Sequence, residues 1–170
     1  LGYAKRNEVN LGIEGIFFNK LLGVEANLFY DVYSDLVIRR TASYPDFYTT
    51  FIPYENYNAD RYQGAELGIS IDKQAGDWSF WVKTNMLYVT SERTKVDEVY
   101  VDAYQYRQGK PVDATFGLEA LGLFQDQAEI DASPKQLYGT VKPGDIKYRD
   151  QNSDGFIDDK DQVYIRRSQA

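Results

Sequence analysis

Val9, Leu11 and Ile13 alternate with Glu8, Asn10, Gly12 and Glu14. A period of two puts each set on its own face of a strand, so this stretch predicts a strand with one apolar and one polar face. The phase blurs over 15–18, which a bulge at Gly15 would explain. Asn19 to Gly23 reads as a short turn. Beyond it Val24, Ala26, Leu28, Tyr30 and Val32 share one face, and Glu25, Asn27, Asp31 and Tyr33 the other. The two strands make an antiparallel hairpin. A long connection follows from Leu36 to about Asp60, with YPDFYTTFIPYENY at its centre. Ordinary loops run to ~4–6 residues.

A third strand is expected from about Gln63 to Ile71, with Ala65, Leu67, Ile69 and Ile71 on one face and Glu66, Gly68 and Ser70 on the other. Residues 72–77 form another short turn. A fourth strand carries Trp78, Phe80, Val82, Met86 and Tyr88 on its apolar side, although Trp81 and Leu87 interrupt the polar side. After Thr90 charge and turn signals dominate until Gln162-Val163-Tyr164-Ile165, which reads as a further strand.

The connections alternate in length. The turns at 19–23 and 72–77 are short, and the connections at 36–60 and 91–162 are long. In an antiparallel meander that puts all short turns at one end. Bacterial outer-membrane barrels show this asymmetry, with aromatic girdles such as Trp78 and Phe80 would supply. The expected fold class is therefore all-β, antiparallel strands of a transmembrane barrel. Residues 1–90 would hold four strands and one long extracellular connection (about 36–62), and residues 91–170 a long extracellular loop region. The competing architecture is a soluble β-sandwich. Periodicity does not separate the two, because it marks a face as apolar without saying what covers it.

The later region contains GDIKYRDQNSDGFIDDKD, at 144–161. Asp150, Asn152 and Asp154 stand at positions 1, 3 and 5 of a calcium loop. Gly155 allows the sharp turn, the Phe156 carbonyl falls at position 7, Asp158 at 9 and Asp161 at 12. An EF-hand has Glu at that last position, and helices on either side. Here Lys142-Pro143-Gly144 precedes the loop and a strand follows it. The expectation is a calcium-type loop (150–161) within β-structure, with Ca2+ in a structural role. The plainer alternative is a turn whose Asp and Asn side chains bond their own backbone.

Composition narrows the field. The chain has 170 residues and a net charge of −7, which argues against nucleic acid as a partner. It contains no Cys and no His, so thiol chemistry and the commonest general base are missing. Its fifteen Tyr favour half-wet boundaries and binding surfaces. No run approaches the ~20 apolar residues of a spanning helix, which leaves spanning strands open. The chain opens at Leu1-Gly2-Tyr3 and both ends read as cut, so a larger protein is expected. Glu119, Asp126 and Glu129 lie in a helix-like segment (118–130), and no spacing selects a catalytic pair. No enzyme is expected.

Three stretches together resemble a known family. NEVNLGIEGIFFNKLLGVEANLFYDVYSDLVI is similar to a hairpin in the later part of SusC-like (RagA-like) TonB-dependent nutrient transporters of Bacteroidetes, with Glu8, Asn10, Gly12, Glu14, Phe18, Asn19, Leu22, Gly23, Tyr30, Asp35 and Leu36 matching. NYNADRYQGAELGISI resembles the family's Gly-x-Glu-Leu strand through Gly64, Glu66 and Leu67, with Ala59 in place of an earlier Gly. QGKP, LGLFQDQAEI and the Asp150 loop resemble the stretch before the family's next strand. The likeness runs from about Asn7 to Tyr164. It departs at 165–168, where the family continues Ile-Gly and then Asn-Pro.

The resemblance implies a barrel of about 22 strands, a plug domain, a SusD-like surface lipoprotein as lid, and TonB acting through a segment outside this chain. It implies import of oligosaccharides or peptides across the bacterial outer membrane, with the loops extracellular. Val24, Ala26, Leu28, Tyr30 and Val32 would then face outer-membrane lipid, and Glu25, Asn27 and Asp31 the wet lumen. Tyr44, Phe47, Tyr48, Tyr54 and Tyr57 become candidate ligand or lid contacts, unless they pack the loop against itself. A soluble extracellular calcium-stabilised binding module for glycan or protein is the alternative; the long connections count against it.

Overall fold

A computed structural model describes residues 1–48 and 51–167, leaving aside the side chains of Asp46 and Arg167. Thr49 and Thr50 of the aromatic stretch, and Ser168 of the departing segment, lie outside the described residues. The chain divides into two compact units, Leu1–Asp97 with Gln108–Val112, and Glu98–Arg107 with Asp113–Ala170.

The first unit is one antiparallel sheet in the order β1-β2-β3-β4. Its strands are β1 (Lys5–Phe17), β2 (Leu22–Arg39), β3 (Tyr54–Ala75) and β4 (Trp78–Lys95). The expected bulge at Gly15 does not occur: Ile13, Glu14 and Gly15 pair in unbroken register with Ala26, Glu25 and Val24. The lost alternation comes from the hydrophobic end of the strand. The chain turns at 18–21, where Phe18, Asn19 and Lys20 all take positive φ of 55–71°. The second turn is only Gly76-Asp77, with Gly76 at φ 62°, a conformation glycine adopts freely.

The strands run further than the alternation does. β2 continues to Arg39 and β3 begins at Tyr54, so the connection expected at about 36–62 is narrower, at 40–53. Register shifts between Tyr33 and Leu36, and between Leu36 and Val37, explain why. A bulge swaps the faces, so a bulged strand does not read as period two. Asp35 sits in that irregularity with φ 56°, and its carboxylate meets Lys5 Nζ at 2.6 Å.

Among the described residues, the apolar face of this sheet stays largely exposed. Val9, Leu11 and Ile13 are 64–70 % exposed, and the described apolar residues that are buried are Ile52, Phe124 and Ile157. A sandwich buries one face of each sheet; here none of the described apolar residues of that face is buried.

The second unit pairs short strands. β5 (Ala114–Gly117) pairs antiparallel with β10 (Val163–Arg167), and β6 (Ala120–Leu123) with β8 (Ile146–Tyr148). β7 (Lys135–Gln136) runs parallel to β9 (Phe156–Ile157). The helix-like segment 118–130 is mostly not helix: it holds β6, then α1 (Gln127–Asp131). Gly122 at φ 139° interrupts it, and Asp126 starts the helix by accepting the Glu129 amide at 2.8 Å.

Candidate functional site

The register sorts the sheet into two faces. On one, Leu11, Leu28, Ala65 and Tyr88 form a row, followed by Ile13, Ala26, Leu67 and Met86. Trp78 and Phe80 stack at the short-turn end, with ring centroids 6.5 Å apart. At the other end this face turns polar, where Arg61 and Glu92 pair. The opposite face carries Glu8, Asp31 and Tyr62 in one row and Gly12, Asn27 and Glu66 in another. Phe29 lies on that polar face because Gly64 makes room: a methyl at Gly64 would come 2.6 Å from Phe29 Cζ.

Toward the long connections the polar face becomes a charged network. Arg6 grips Asp31 with two bonds, Nε–Oδ1 at 3.2 Å and Nη2–Oδ2 at 2.9 Å, and reaches Glu8 at 2.8 Å. Its guanidinium lies 5.4 Å from the Tyr33 ring, which meets Tyr62 edge to face at 5.7 Å. Asp31, Tyr33 and Tyr62 border a cleft of about 410 Å³ that also includes Phe29 and Asp60.

A second network ties the connection to the strand ends. Arg40 bonds Glu55 at 3.1 Å and Asp97 at 3.2 Å. Burial works to raise the Asp97 carboxyl, but hydrogen bonds from Ser43, Arg40 and the Ala42 amide hold it below the usual carboxylate range. The Tyr57 ring has Arg40 at 4.0 Å and Lys95 at 3.9 Å from its centroid. Arg40 and Asp97 are far apart in sequence, and no pattern in the chain points to them.

The five aromatic candidates separate. Tyr44, Phe47 and Tyr48 cluster, with centroids 6.5 Å (Tyr44–Tyr48) and 4.7 Å (Phe47–Tyr48) apart. Tyr44 Oη also hydrogen-bonds Glu55 at 3.2 Å. Phe47 is 82 % exposed; Tyr54, first residue of β3, is also exposed, and Tyr57 is held by its two cations.

In the 150–161 loop the acidic groups serve the backbone. Asp150 accepts the Ser153 and Gly155 amides at 2.6 and 2.9 Å. Asn152 accepts the Asp154 amide, and Asp154 that of Phe156. Asp158 and Asp161 form a reciprocal capping box around the 3-10 turn Asp159–Asp161. Asp161 is fully buried, and its two oxygens accept the Gln151 and Asp158 amides at 2.8 and 2.9 Å. Among the described residues no three acidic side chains converge where a metal ion could sit. Of the donor set expected for calcium, Asp150, Asn152, Asp154, Asp158 and Asp161 each accept a backbone amide in this arrangement, and Phe156 donates its own amide to Asp154. Short side chains two to five residues from free amides reach those amides first. The Phe156 amide, then Asn152, holds Asp154 below its ordinary value. Burial, then the neighbouring Asp102, pushes Tyr104 up to about 12.

No family model matches the chain. A TonB-dependent receptor, P26, of Formosa agariphila is 25 % identical to it over 179 residues, covering 97 % of this chain and 18 % of that protein. The RagAB peptide transporter superposes with a TM-score of 0.67, and the RagAB peptide importer in its closed-closed state with 0.65. Each is 19 % identical, with 97 % of this chain and 18 % of that one covered. The chain is similar in sequence to a TonB-dependent receptor and in fold to the RagAB transporter. The fold is that of a stretch of outer-membrane transporter barrel, and the chain spans under a fifth of its relatives' length. In such a barrel the open edges of β1 and β4 are where neighbouring strands pair.

Proposed function

We propose that this chain is a piece of the wall of a TonB-dependent outer-membrane transporter that imports peptides or oligosaccharides. The uncovered apolar face of the four-stranded sheet carries the proposal. Tyr30 and Tyr88 bound that face at one end and Trp78 and Phe80 at the other. The ten steps from Trp78 to Tyr88, at ~3.3 Å each and tilted by ~40°, rise about 25 Å, the height of an apolar band between aromatic girdles. That face lies against lipid, and the Glu8, Asn27 and Glu66 face lines a wet lumen. The connection at 40–53 and the second unit stand outside the cell. A SusD-like lipoprotein covers the opening, with Phe47 and Tyr48 as contacts for it or for the substrate. TonB acts through a segment outside this chain. Calcium is not part of the proposal.

Substitutions in the full-length protein, in outer-membrane fractions, test it. Leu28→Arg is expected to cost about 2–4 kcal/mol and to lower the heat-modifiable folded fraction, while Asn27→Arg leaves it nearly unchanged. Equal tolerance of both would overturn the assignment of faces.

A further inference from the structure

The polar face carries a cleft that the transporter reading does not by itself explain. Its residues come from adjacent strands of one sheet, so the register fixes their spacing. Asp60 pairs with Tyr33, Tyr62 with Asp31, and Gly64 with Phe29. The rings of Phe29, Tyr33 and Tyr62 thus stand beside two carboxylates in about 410 Å³, room for the end of one side chain.

The carboxylates are not equivalent. Asp31 is neutralised by the two-bonded Arg6. Among the described residues, no side-chain hydrogen bond or ion pair engages the Asp60 carboxylate. Its register partner on the far side, Arg93, acts on it only at longer range and donates to the Val112 carbonyl at 3.2 Å. One carboxylate is left without a bonded partner, half-buried, in a cleft it shares with three aromatic rings. The surrounding face has the same sign: Glu8, Glu14, Glu25 and Glu66 join the two aspartates against Arg6, Lys83 and Arg93. Such a surface concentrates cations near it.

Resting on the transporter reading, we propose that the cleft at Asp60 binds a cationic group of the imported substrate, the ammonium or guanidinium of a basic peptide. The carboxylate supplies the opposite charge, and the Tyr33 and Tyr62 rings supply cation–π contact while excluding water from one side. A neutral sugar could stack on the rings but would leave the carboxylate without a partner, so the chemistry favours the cation.

The test uses the full-length transporter in detergent and calorimetry with two synthetic peptides, alike except that a central lysine in one is the neutral, isosteric norleucine in the other. The wild type is expected to bind the lysine peptide about tenfold more tightly. Asp60→Asn should erase that preference and leave the norleucine peptide's affinity unchanged, while Asp60→Glu keeps it. Tyr62→Leu, which retains the charge, should weaken the lysine peptide alone and provides a second variant should Asp60→Asn fail to fold. Equal binding of the two peptides by the wild type overturns the proposal and leaves the transporter reading intact, as does a preference that survives Asp60→Asn. Binding of neither peptide overturns the peptide-substrate reading along with it. The Leu28→Arg comparison judges the barrel wall separately.

Discussion

The carboxylate of Asp161 accepts the amide of Gln151 at 2.8 Å, and its other oxygen accepts the amide of Asp158 at 2.9 Å. The residue that spacing puts at the last ligand position of a calcium loop is the one that closes the loop on itself. Asp161→Ala leaves two amides without their acceptor in a buried place, at a cost of about 2–4 kcal/mol. Hydrogen exchange at Gln151 and Asp158 should accelerate strongly. Adding calcium or a chelator to the wild-type protein should not change the exchange of either amide; protection by calcium would show that the carboxylates reorganise around an ion.

Acid should loosen the second unit. Asp154 is held below its ordinary 3.8 by the Phe156 amide and Asn152, and Glu129 below its ordinary 4.5 by the Gln125 amide and Lys147. A carboxyl depressed by folding stabilises the folded state above its unfolded value. That contribution is lost as pH falls from 4.5 and 3.8 through the lower folded values. Amide exchange at Gln125 and Phe156, followed from neutral pH down to 3, should show protection that drops only in that window.

Gly64→Ala should destabilise the sheet. A methyl there would press on the Phe29 ring and on the backbone of the adjoining strand, and overpacking of this kind costs about 1–3 kcal/mol. A lower denaturant midpoint for the folded barrel checks it. Combining it with Phe29→Ala should recover only part of the loss, since the backbone contact persists.

Phe47→Ser should separate contact from stability. Phe47 is 82 % exposed, so the change should alter folding by less than about 0.5 kcal/mol. If the ring touches a lid or a substrate, co-purification of the lipoprotein or substrate uptake should fall. Unchanged uptake and co-purification would remove Phe47 from the contact surface.

The residues 1–97 alone, placed in plain buffer, should aggregate, because two strand edges and an apolar face are open. In detergent micelles the same piece should show β-rich circular dichroism. Sedimentation as a β-rich monomer in buffer would contradict the lipid-facing assignment of Leu28 and Val82.

The alternation from Glu8 to Glu14, and again through Val24 to Val32, was enough to predict two strands, their faces and the hairpin between them. Gly64, Glu66 and Leu67 carried the family likeness. Period two depends only on the pleat, so it is written wherever a strand is regular. It goes silent where β2 and β3 slip register near Leu36, and there the strand ends could not be placed from sequence. The aromatic candidates were legible as residue types, but not as a cluster of three with Tyr54 and Tyr57 apart.

What the sequence determined by itself is therefore local: which residues pair up on a face, and where short turns alternate with long connections. Tertiary structure decided the rest. It left the apolar face of the first unit largely exposed, and brought Asp97 to Arg40 and Tyr33 to Tyr62 across long stretches of chain. It also gave the loop carboxylates to backbone amides. A side chain's partner is set by how the chain returns to it in space, and no spacing along the sequence encodes that return.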